Sequence, residues 1–196
     1  SYLGYEIEVH VIDDRRSDLI YEDRSVEITS LPLEHRAPCV GYLFREKVTE
    51  RHIDRASCDF YQVPRSYYVA LREGADFTTE EGQVIPNHRL TRQGRKARSY
   101  AYCSDTAYAP SLVPLIQGVD LLYHEATFSR ERSERAKVTA HSTAEQAALI
   151  AQASGVGRLL IGHYSARYLD ATPLLREAQE VFPETLASDE GMIIDL

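Results

Sequence analysis

The sequence has few cysteines and no long apolar run. Its three cysteines, Cys39, Cys58 and Cys103, lie far apart and form no CxxC pair. An odd number at such spacing argues against a disulfide framework and against a thiolate zinc site, and it favours a reducing compartment. No apolar stretch approaches the roughly 20 residues of a membrane-spanning helix. No secretion signal is visible in the first residues, so we expect a cytoplasmic protein.

Positive charge is also scarce, because 30 acidic residues outnumber 22 basic ones and leave a net charge of −8. An acidic chain is a poor candidate for non-specific binding to nucleic acid. Residues 86–98 depart from this balance, since they contain no acid and five basic side chains, Arg89, Arg92, Arg95, Lys96 and Arg98. Two interpretations of this basic segment remain open, a solvated loop and a patch that contacts phosphates.

Short strands and helices lie on either side of an irregular stretch, residues 45–98. The pattern predicts strands at 5–11, 19–21, 26–31, 40–44, 99–103, 119–123, 158–161 and 192–195. It predicts helices at 66–73, 143–154 and 173–181, a short helix at 111–117 that Pro114 breaks, and a hairpin at 78–85. Ser142 stands three residues before Glu145 as a capping box for the helix that Gly155 ends. The chain is therefore predicted to be an α/β protein with an excursion at 45–98, and such excursions are often functional.

Side chains suited to metal binding or acid–base chemistry follow four of the predicted strands. They are His35, Asp105, the pair His124 and Glu125, and His163. Sites form at strand ends in sheets covered by helices, because side chains converge there on a rigid backbone. Each residue alone could also be a turn former or a surface side chain, so spacing leaves the joint site open. Two histidines and a carboxylate match the ligands of zinc and leave a position for water.

Five local sequences make this pattern specific. They are LPLEHRAPCVGY at 31–42, YCSDT at 102–106, YHEATF at 123–128, AHST at 140–143 and IGHYSARY at 161–168. In this order and spacing they resemble ribonuclease Z, the family of tRNA 3′-processing endoribonucleases in the metallo-β-lactamase superfamily. The resemblance covers nearly all 196 residues.

The resemblance implies an α/β fold, the αββα sandwich of the metallo-β-lactamases. It implies a zinc-dependent endoribonuclease that removes 3′ trailers from precursor tRNA. The reaction would be attack of a metal hydroxide on a phosphodiester, leaving a 3′-hydroxyl. Two Zn²⁺ ions in a complete site, a homodimer and a cytoplasmic location are implied as well.

The resemblance also assigns roles to five residues. His35, Asp105 and His163 would be metal ligands, with Asp105 bridging two zinc ions. His141 would donate a proton to the leaving ribose oxygen or steady the scissile phosphate. Glu125 would hold His141, which fixes the tautomer of the imidazole and raises its basicity. No substrate-binding residue is assigned, and the other four histidines, His10, His52, His88 and His124, receive no role at the metal.

Two features of the family pattern are missing. The first is the zinc-binding motif H-x-H-x-D-H, since no two histidines of the chain lie two or three residues apart. We therefore expect residues 1–196 to be the carboxy-terminal two-thirds of a metallo-β-lactamase-like domain whose amino-terminal part is absent. The second is the glycine- and proline-rich character of the tRNA-gripping arm, whose place is taken by an arm-like excursion at about 46–74.

Two other functions remain as alternatives. One is a general phosphodiesterase of the same superfamily, and the other is a catalytically inactive module for dimerisation or RNA binding. We expect the 196-residue chain to be inactive alone and to bind zinc poorly, because three ligands shared between two ions close neither site. We also expect it to associate through exposed apolar sheet surface.

Overall fold

The computed structural model describes residues 4–196. These residues form two compact units, one of residues 4–46 and 98–196 and the other of residues 47–97. None of the helices described is both long and apolar enough to cross a lipid bilayer.

The secondary structure is mixed. The described strands are β1 (Leu19–Glu22), β2 (Val26–Pro32), β3 (Val40–Glu46), β4 (His52–Ile53), β5 (Phe77–Thr78), β6 (Val84–Ile85), β7 (Thr91–Arg92), β8 (Ser99–Cys103), β9 (Leu121–Glu125), β10 (Arg158–Gly162) and β11 (Thr185–Ala187). The α-helices are α1 (Arg55–Phe60), α2 (Tyr68–Arg72), α3 (Ser133–Thr139), α4 (Ala144–Ser154) and α5 (Thr172–Val181). Short 3-10 turns occur at Arg65–Tyr67, Asn87–Arg89, Pro110–Leu112 and Arg130–Arg132.

A seven-stranded sheet organises the larger unit, in the order β1-β2-β3-β8-β9-β10-β11. The pairs from β1 to β8 are antiparallel, and the pairs from β8 to β11 are parallel. Because β2 and β8 are both antiparallel to β3, β2 runs in the same direction as β8, β9 and β10. The carboxyl ends of these four strands therefore lie at one end of the sheet. The polar residues singled out above lie there, with His124 and Glu125 as the last two residues of β9 and the others beyond the ends of their strands.

One face of the sheet is covered by α4 and α5. Leu122, Leu159 and Ile161 alternate toward this face and are fully buried, together with Ala147 and Ala151 of α4. Full burial of a leucine or isoleucine side chain contributes about 1.5–3 kcal/mol. This core fixes the strands whose ends carry the polar residues.

The opposite face of the sheet is lined by aromatic side chains. Phe44 stacks on Tyr100 with ring centroids 5.9 Å apart, and Tyr102 stacks on Tyr123 at 4.8 Å. Partial burial raises the pKa of Tyr100 and of Tyr123 to about 12. Tyr102 is the most exposed of these side chains, with 37% of its surface accessible. We call these four residues, with Tyr42, the aromatic face.

Two predicted strands are wrong. Residues 5–11 form no strand, and their apolar side chains Tyr5, Ile7, Val9 and Val11 are exposed. Residues 192–195 form none either, and the last described strand is β11, which pairs with β10. Alternation identifies side chains that can share an apolar face, but a strand also needs a neighbouring strand to receive its hydrogen bonds. None of the described strands pairs with residues 5–11.

Two helix predictions also need correction. Only the 3-10 turn Pro110–Leu112 forms within the predicted helix 111–117, and Pro114, which lacks an N–H, cannot continue it. The capping box of α4 is made by Thr143 and Gln146 rather than by Ser142 and Glu145. The predicted end of α4 is confirmed, since Gly155 follows it with φ of 59°.

The smaller unit, residues 47–97, has a core of its own. Its fully or nearly buried apolar side chains are Cys58, Val63, Leu71, Ile85 and Leu90. Helix α1 begins at Asp54, whose carboxylate accepts the backbone N–H of Ser57. The predicted hairpin is confirmed by the β5–β6 pair, with Gly82 at φ of 81° in its turn. That residues 46–74 serve as a tRNA-binding arm stays a prediction.

Candidate metal and catalytic site

The five residues assigned by resemblance lie together at the end of the large sheet. The His141 ring is central, 5.1 Å from the His35 ring and 5.3 Å from the His163 ring, measured between centroids. His163 Nε2 is 2.9 Å from Asp105 Oδ1, and His141 Nδ1 is 2.7 Å from Glu125 Oε1. The tertiary structure therefore brings together residues that are up to 128 positions apart in the chain, from His35 to His163.

Glu125 is a fully buried carboxylate surrounded by hydrogen-bond donors. Its oxygens accept from the backbone N–H groups of Thr106, Thr127 and Ser142, from the Thr127 hydroxyl and from His141 Nδ1. Burying a carboxylate is costly unless its oxygens accept hydrogen bonds, and both oxygens of Glu125 do so. Glu125 is therefore held rigidly, and it holds His141 in turn.

Hydrogen bonding fixes the tautomer of two imidazoles. His35 Nδ1 is 2.9 Å from the backbone oxygen of Ala140, which can only accept a hydrogen bond. His141 Nδ1 faces the Glu125 carboxylate, which is also an acceptor. Both Nδ1 atoms therefore carry a proton, and in a neutral ring Nε2 keeps its lone pair.

The tautomer of His163 is fixed in the same way, by its hydrogen bond to Thr127. The Thr127 hydroxyl has one proton, and its shortest contact is with Glu125 Oε2 at 2.5 Å. Thr127 Oγ1 must then accept from His163 Nδ1, which lies 2.9 Å away. The Nε2 lone pair of His163 points at Asp105 as a result, so two acceptor atoms face each other at 2.9 Å. A cation between them, a proton or a metal ion, would satisfy both.

The backbone at the site is strained. Asp105, Ala140 and His163 have φ values of 55°, 59° and 60°, a left-handed conformation uncommon outside glycine. Such a conformation costs roughly 1–3 kcal/mol for each residue and persists only where the surroundings impose it. Here it turns the Asp105 and His163 side chains toward each other and directs the Ala140 carbonyl at His35.

The donor set fits a metal ion. Ligand atoms of Asp105, Glu125, His141 and His163 all lie within 4.8 Å of one another. Glu125 and His141 are bound to each other, whereas Asp105 and His163 are half exposed, at 43% and 41% of their side chains. A carboxylate and imidazole Nε2 atoms whose Nδ1 is hydrogen-bonded are what zinc sites use. The metal roles of His35, Asp105 and His163 stay predictions.

Sequence reasoning missed one residue of this site. Thr127 bridges Glu125 and His163, and the only signal for it was its place in YHEATF.

His124, next to Glu125, is not part of the site. It is fully buried, and its Nδ1 lies 2.8 Å from the Glu125 backbone oxygen. Burial lowers the pKa of the imidazole, so His124 is neutral near pH 7. It packs within the sheet core.

Known proteins similar in sequence are ribonucleases. The ribonuclease Z of Porphyromonas gingivalis strain W83 is 56% identical over 194 residues, which cover 99% of this chain and 64% of that protein. The chain is a homologue of ribonuclease Z. The ribonuclease Z of Bacteroides thetaiotaomicron is 52% identical over 194 residues, 99% of this chain and 61% of that protein. The chain thus spans less than two thirds of the length of these ribonuclease Z relatives.

Solved structures show the fold. The short form of human tRNase Z is 22% identical, with a TM-score of 0.56 over 91% of this chain and 46% of that one. The metallo-β-lactamase fold protein YhfI from Bacillus subtilis is 18% identical, with a TM-score of 0.54 over 90% and 50%. The expected metallo-β-lactamase fold is confirmed, over about half of these chains. No family model matches the sequence.

Proposed function

We propose that the chain carries part of the active site of a zinc-dependent endoribonuclease that removes 3′ trailers from precursor tRNA in the cytoplasm. The observation that carries the proposal is the buried Glu125–His141 pair, 2.7 Å across, beside the facing groups of Asp105 and His163. The similarity to ribonuclease Z proteins over 99% of the chain supports the substrate class.

His141 is proposed to act on the leaving group. Its Nδ1 is held by Glu125, so its Nε2 is directed away from the carboxylate. From this position Nε2 can pass a proton to the ribose oxygen as the bond to phosphorus breaks. The RNA then ends in a 3′-hydroxyl.

Asp105, His163 and His35 are proposed to hold the metal. Zinc bound there supplies a Lewis acid and makes hydroxide available near neutral pH. Thr127 orients His163 through Nδ1, and Ala140 orients His35 in the same way. Such partners of a ligand histidine fix the ring and raise its basicity as a ligand.

A chimera tests the proposal. The 196 residues replace the matching part of the Porphyromonas gingivalis relative, and cleavage of a precursor tRNA is compared with that of a small chromogenic phosphodiester. We expect trailer removal and a 3′-hydroxyl on the tRNA product. Activity on the small ester alone would instead indicate a general phosphodiesterase. No turnover of either, with no zinc bound, would indicate a non-catalytic module.

A further inference from the structure

We propose that Glu177, on α5, is a positioning residue for His141. Glu177 lies outside the group of metal and catalytic residues and is not in any of the five motifs. It is nevertheless 93% buried, because only 7% of its surface is exposed. A buried carboxylate needs donors to offset the loss of water, and those of Glu177 come from the two loops that carry the catalytic pair. This inference rests on the function proposed above.

The first of these loops follows Glu125. The backbone N–H of Arg130 lies 2.9 Å from both Glu177 carboxylate oxygens. The Arg130 guanidinium lies over the same carboxylate, with Nε 3.4 Å from Oε2. Arg130 is five residues beyond Glu125, so the carboxylate fixes the loop that leaves β9.

The second loop follows His141 and leads into α4. The backbone N–H of Glu145 donates to Glu177 Oε1 at 3.0 Å. This N–H belongs to the first turn of α4, where no carbonyl within the helix can accept it. A carboxylate at that position both satisfies the N–H and interacts favourably with the helix dipole. Glu145 is four residues beyond His141.

The two loops are also bonded directly to each other. Phe128 N–H donates to the Ser142 oxygen at 3.3 Å, and Ala144 N–H donates to the Phe128 oxygen at 2.9 Å. These bonds form a small parallel bridge between Phe128 and Thr143. Glu177 joins the two loops on the carboxyl-terminal side of this bridge, through the N–H groups of Arg130 and Glu145. The Glu125–His141 hydrogen bond joins them on its amino-terminal side. Movement of either loop would therefore change the direction of His141 Nε2.

The chemistry of the leaving group provides a specific test. A ribose oxygen is a poor leaving group and needs the proton of His141, whereas a nitrophenolate leaves without one. Loss of His141 alignment should therefore slow RNA cleavage and spare a nitrophenyl phosphodiester. General damage to the fold or to the metal site should slow both reactions in proportion.

The variants are made in the chimera. Glu177→Gln keeps the shape but loses the charge, and Glu177→Ala removes the carboxylate. Glu180→Gln is the matched control, because Glu180 is on the same helix and binds the same Arg130 guanidinium but contacts no backbone N–H of either loop. His141→Ala is the reference for complete loss of the proton donor.

We expect Glu177→Gln to lower kcat on precursor tRNA roughly tenfold to hundredfold, the scale on which a displaced group affects rate. KM, zinc content and kcat on the nitrophenyl ester should not change, and Glu180→Gln should behave as the parent chimera. If Glu177→Ala unfolds, the isosteric glutamine variant decides the question.

Equal losses on both substrates in Glu177→Gln, or no loss on RNA, would overturn the positioning role. The His141→Ala variant separates failure of the Glu177 role from failure of the proposed function. If His141→Ala itself shows no difference between the two substrates, the proton-donor role is wrong. If His141→Ala shows the difference and Glu177→Gln does not, only the role of Glu177 is wrong.

Discussion

At the scale of single residues, one carboxylate organises the site. Glu125 binds His141 through Oε1 and Thr127 through Oε2, and Thr127 in turn binds His163. The candidate proton donor and a candidate metal ligand are therefore oriented by the same buried group. Hydrogen bonds to a charged group are about twice as strong as neutral ones, which makes Glu125 a stable anchor.

Loss of the imidazole at position 141 should separate catalysis from metal binding. In the chimera, His141→Ala should lower kcat on precursor tRNA by about 10²–10⁴, the usual contribution of a positioned acid or base. Zinc content, measured by mass spectrometry, should stay that of the parent. His10→Ala, in an exposed histidine, is the control. Full activity of the His141 variant would show that the assigned role is wrong.

The Thr127 hydroxyl should matter for metal affinity. Thr127→Val keeps the side-chain shape but leaves His163 Nδ1 without its partner and removes one of the donors to Glu125 Oε2. We expect zinc affinity to fall roughly tenfold to hundredfold, as for other partners of ligand histidines. Competition with a chromogenic chelator measures it. Thr139→Val, which alters a hydroxyl bonded only to helix carbonyls, should leave affinity unchanged.

At the scale of elements, the site depends on where strands end and where α4 begins. The parallel strands β8, β9 and β10 end at one place. Glu125 is the last residue of β9, and Asp105 and His163 follow β8 and β10 on either side of it. Helix α4 starts at the Thr143 cap, two residues after His141. The cap therefore fixes a backbone that is continuous with the candidate catalytic residue.

Removal of the Thr143 cap should be measurable in the isolated chain. The Thr143 side chain accepts the Gln146 N–H at 3.1 Å, and this residue is 1% exposed. Thr143→Ala should lower the free energy of unfolding by about 1 kcal/mol, the usual cost of losing such a cap. Urea denaturation followed by circular dichroism measures it. Thr139→Ala, at a half-buried hydroxyl of α3 that donates only to carbonyls of its own helix, should change the free energy by no more than about 0.5 kcal/mol.

Strand and helix prediction from the sequence succeeded where the local pattern and the packing agree. Strands β2, β3 and β8 and helices α4 and α5 lie where they were predicted, because each has one apolar face that the sheet or a helix covers. Residues 5–11 have an equally regular alternation, yet none of the strands within residues 4–196 pairs with them. Helix 111–117 was prevented by Pro114 within its own sequence.

At the scale of the whole molecule, the aromatic face raises the question of association. Tyr42, Phe44, Tyr100, Tyr102 and Tyr123 line the side of the sheet opposite α4 and α5. Tyr102 is 37% exposed and the other four are half-buried. Contiguous exposed apolar surface often marks a contact with another chain.

We therefore expect the 196-residue chain to form dimers or larger species. Analytical ultracentrifugation over a range of concentrations measures this. Tyr102→Lys should shift the equilibrium toward monomer, because a charge would be buried in the contact. Leu169→Lys, at a fully exposed loop residue, should not. A monomer at every concentration would contradict the expectation.

Zinc binding should distinguish the chain from the chimera. Asp105, His163 and His35 offer three ligand side chains, fewer than two separate ions require. We expect the chimera to retain two zinc ions after dialysis and the isolated chain to retain less than one. Tightly held stoichiometric zinc in the isolated chain would show that its own residues close a site.

The sequence by itself determined the residue types and their order. Through their resemblance to ribonuclease Z, the five motifs were sufficient to indicate the family, the fold and the candidate residues His35, Asp105, Glu125, His141 and His163. Tertiary structure decided how they act together. The proton positions on the three imidazoles depend on Ala140, Glu125 and Thr127, and the support of His141 by Glu177 depends on α5 packing against α4. Such contacts join residues distant in the chain, and no local pattern encodes a distance between them.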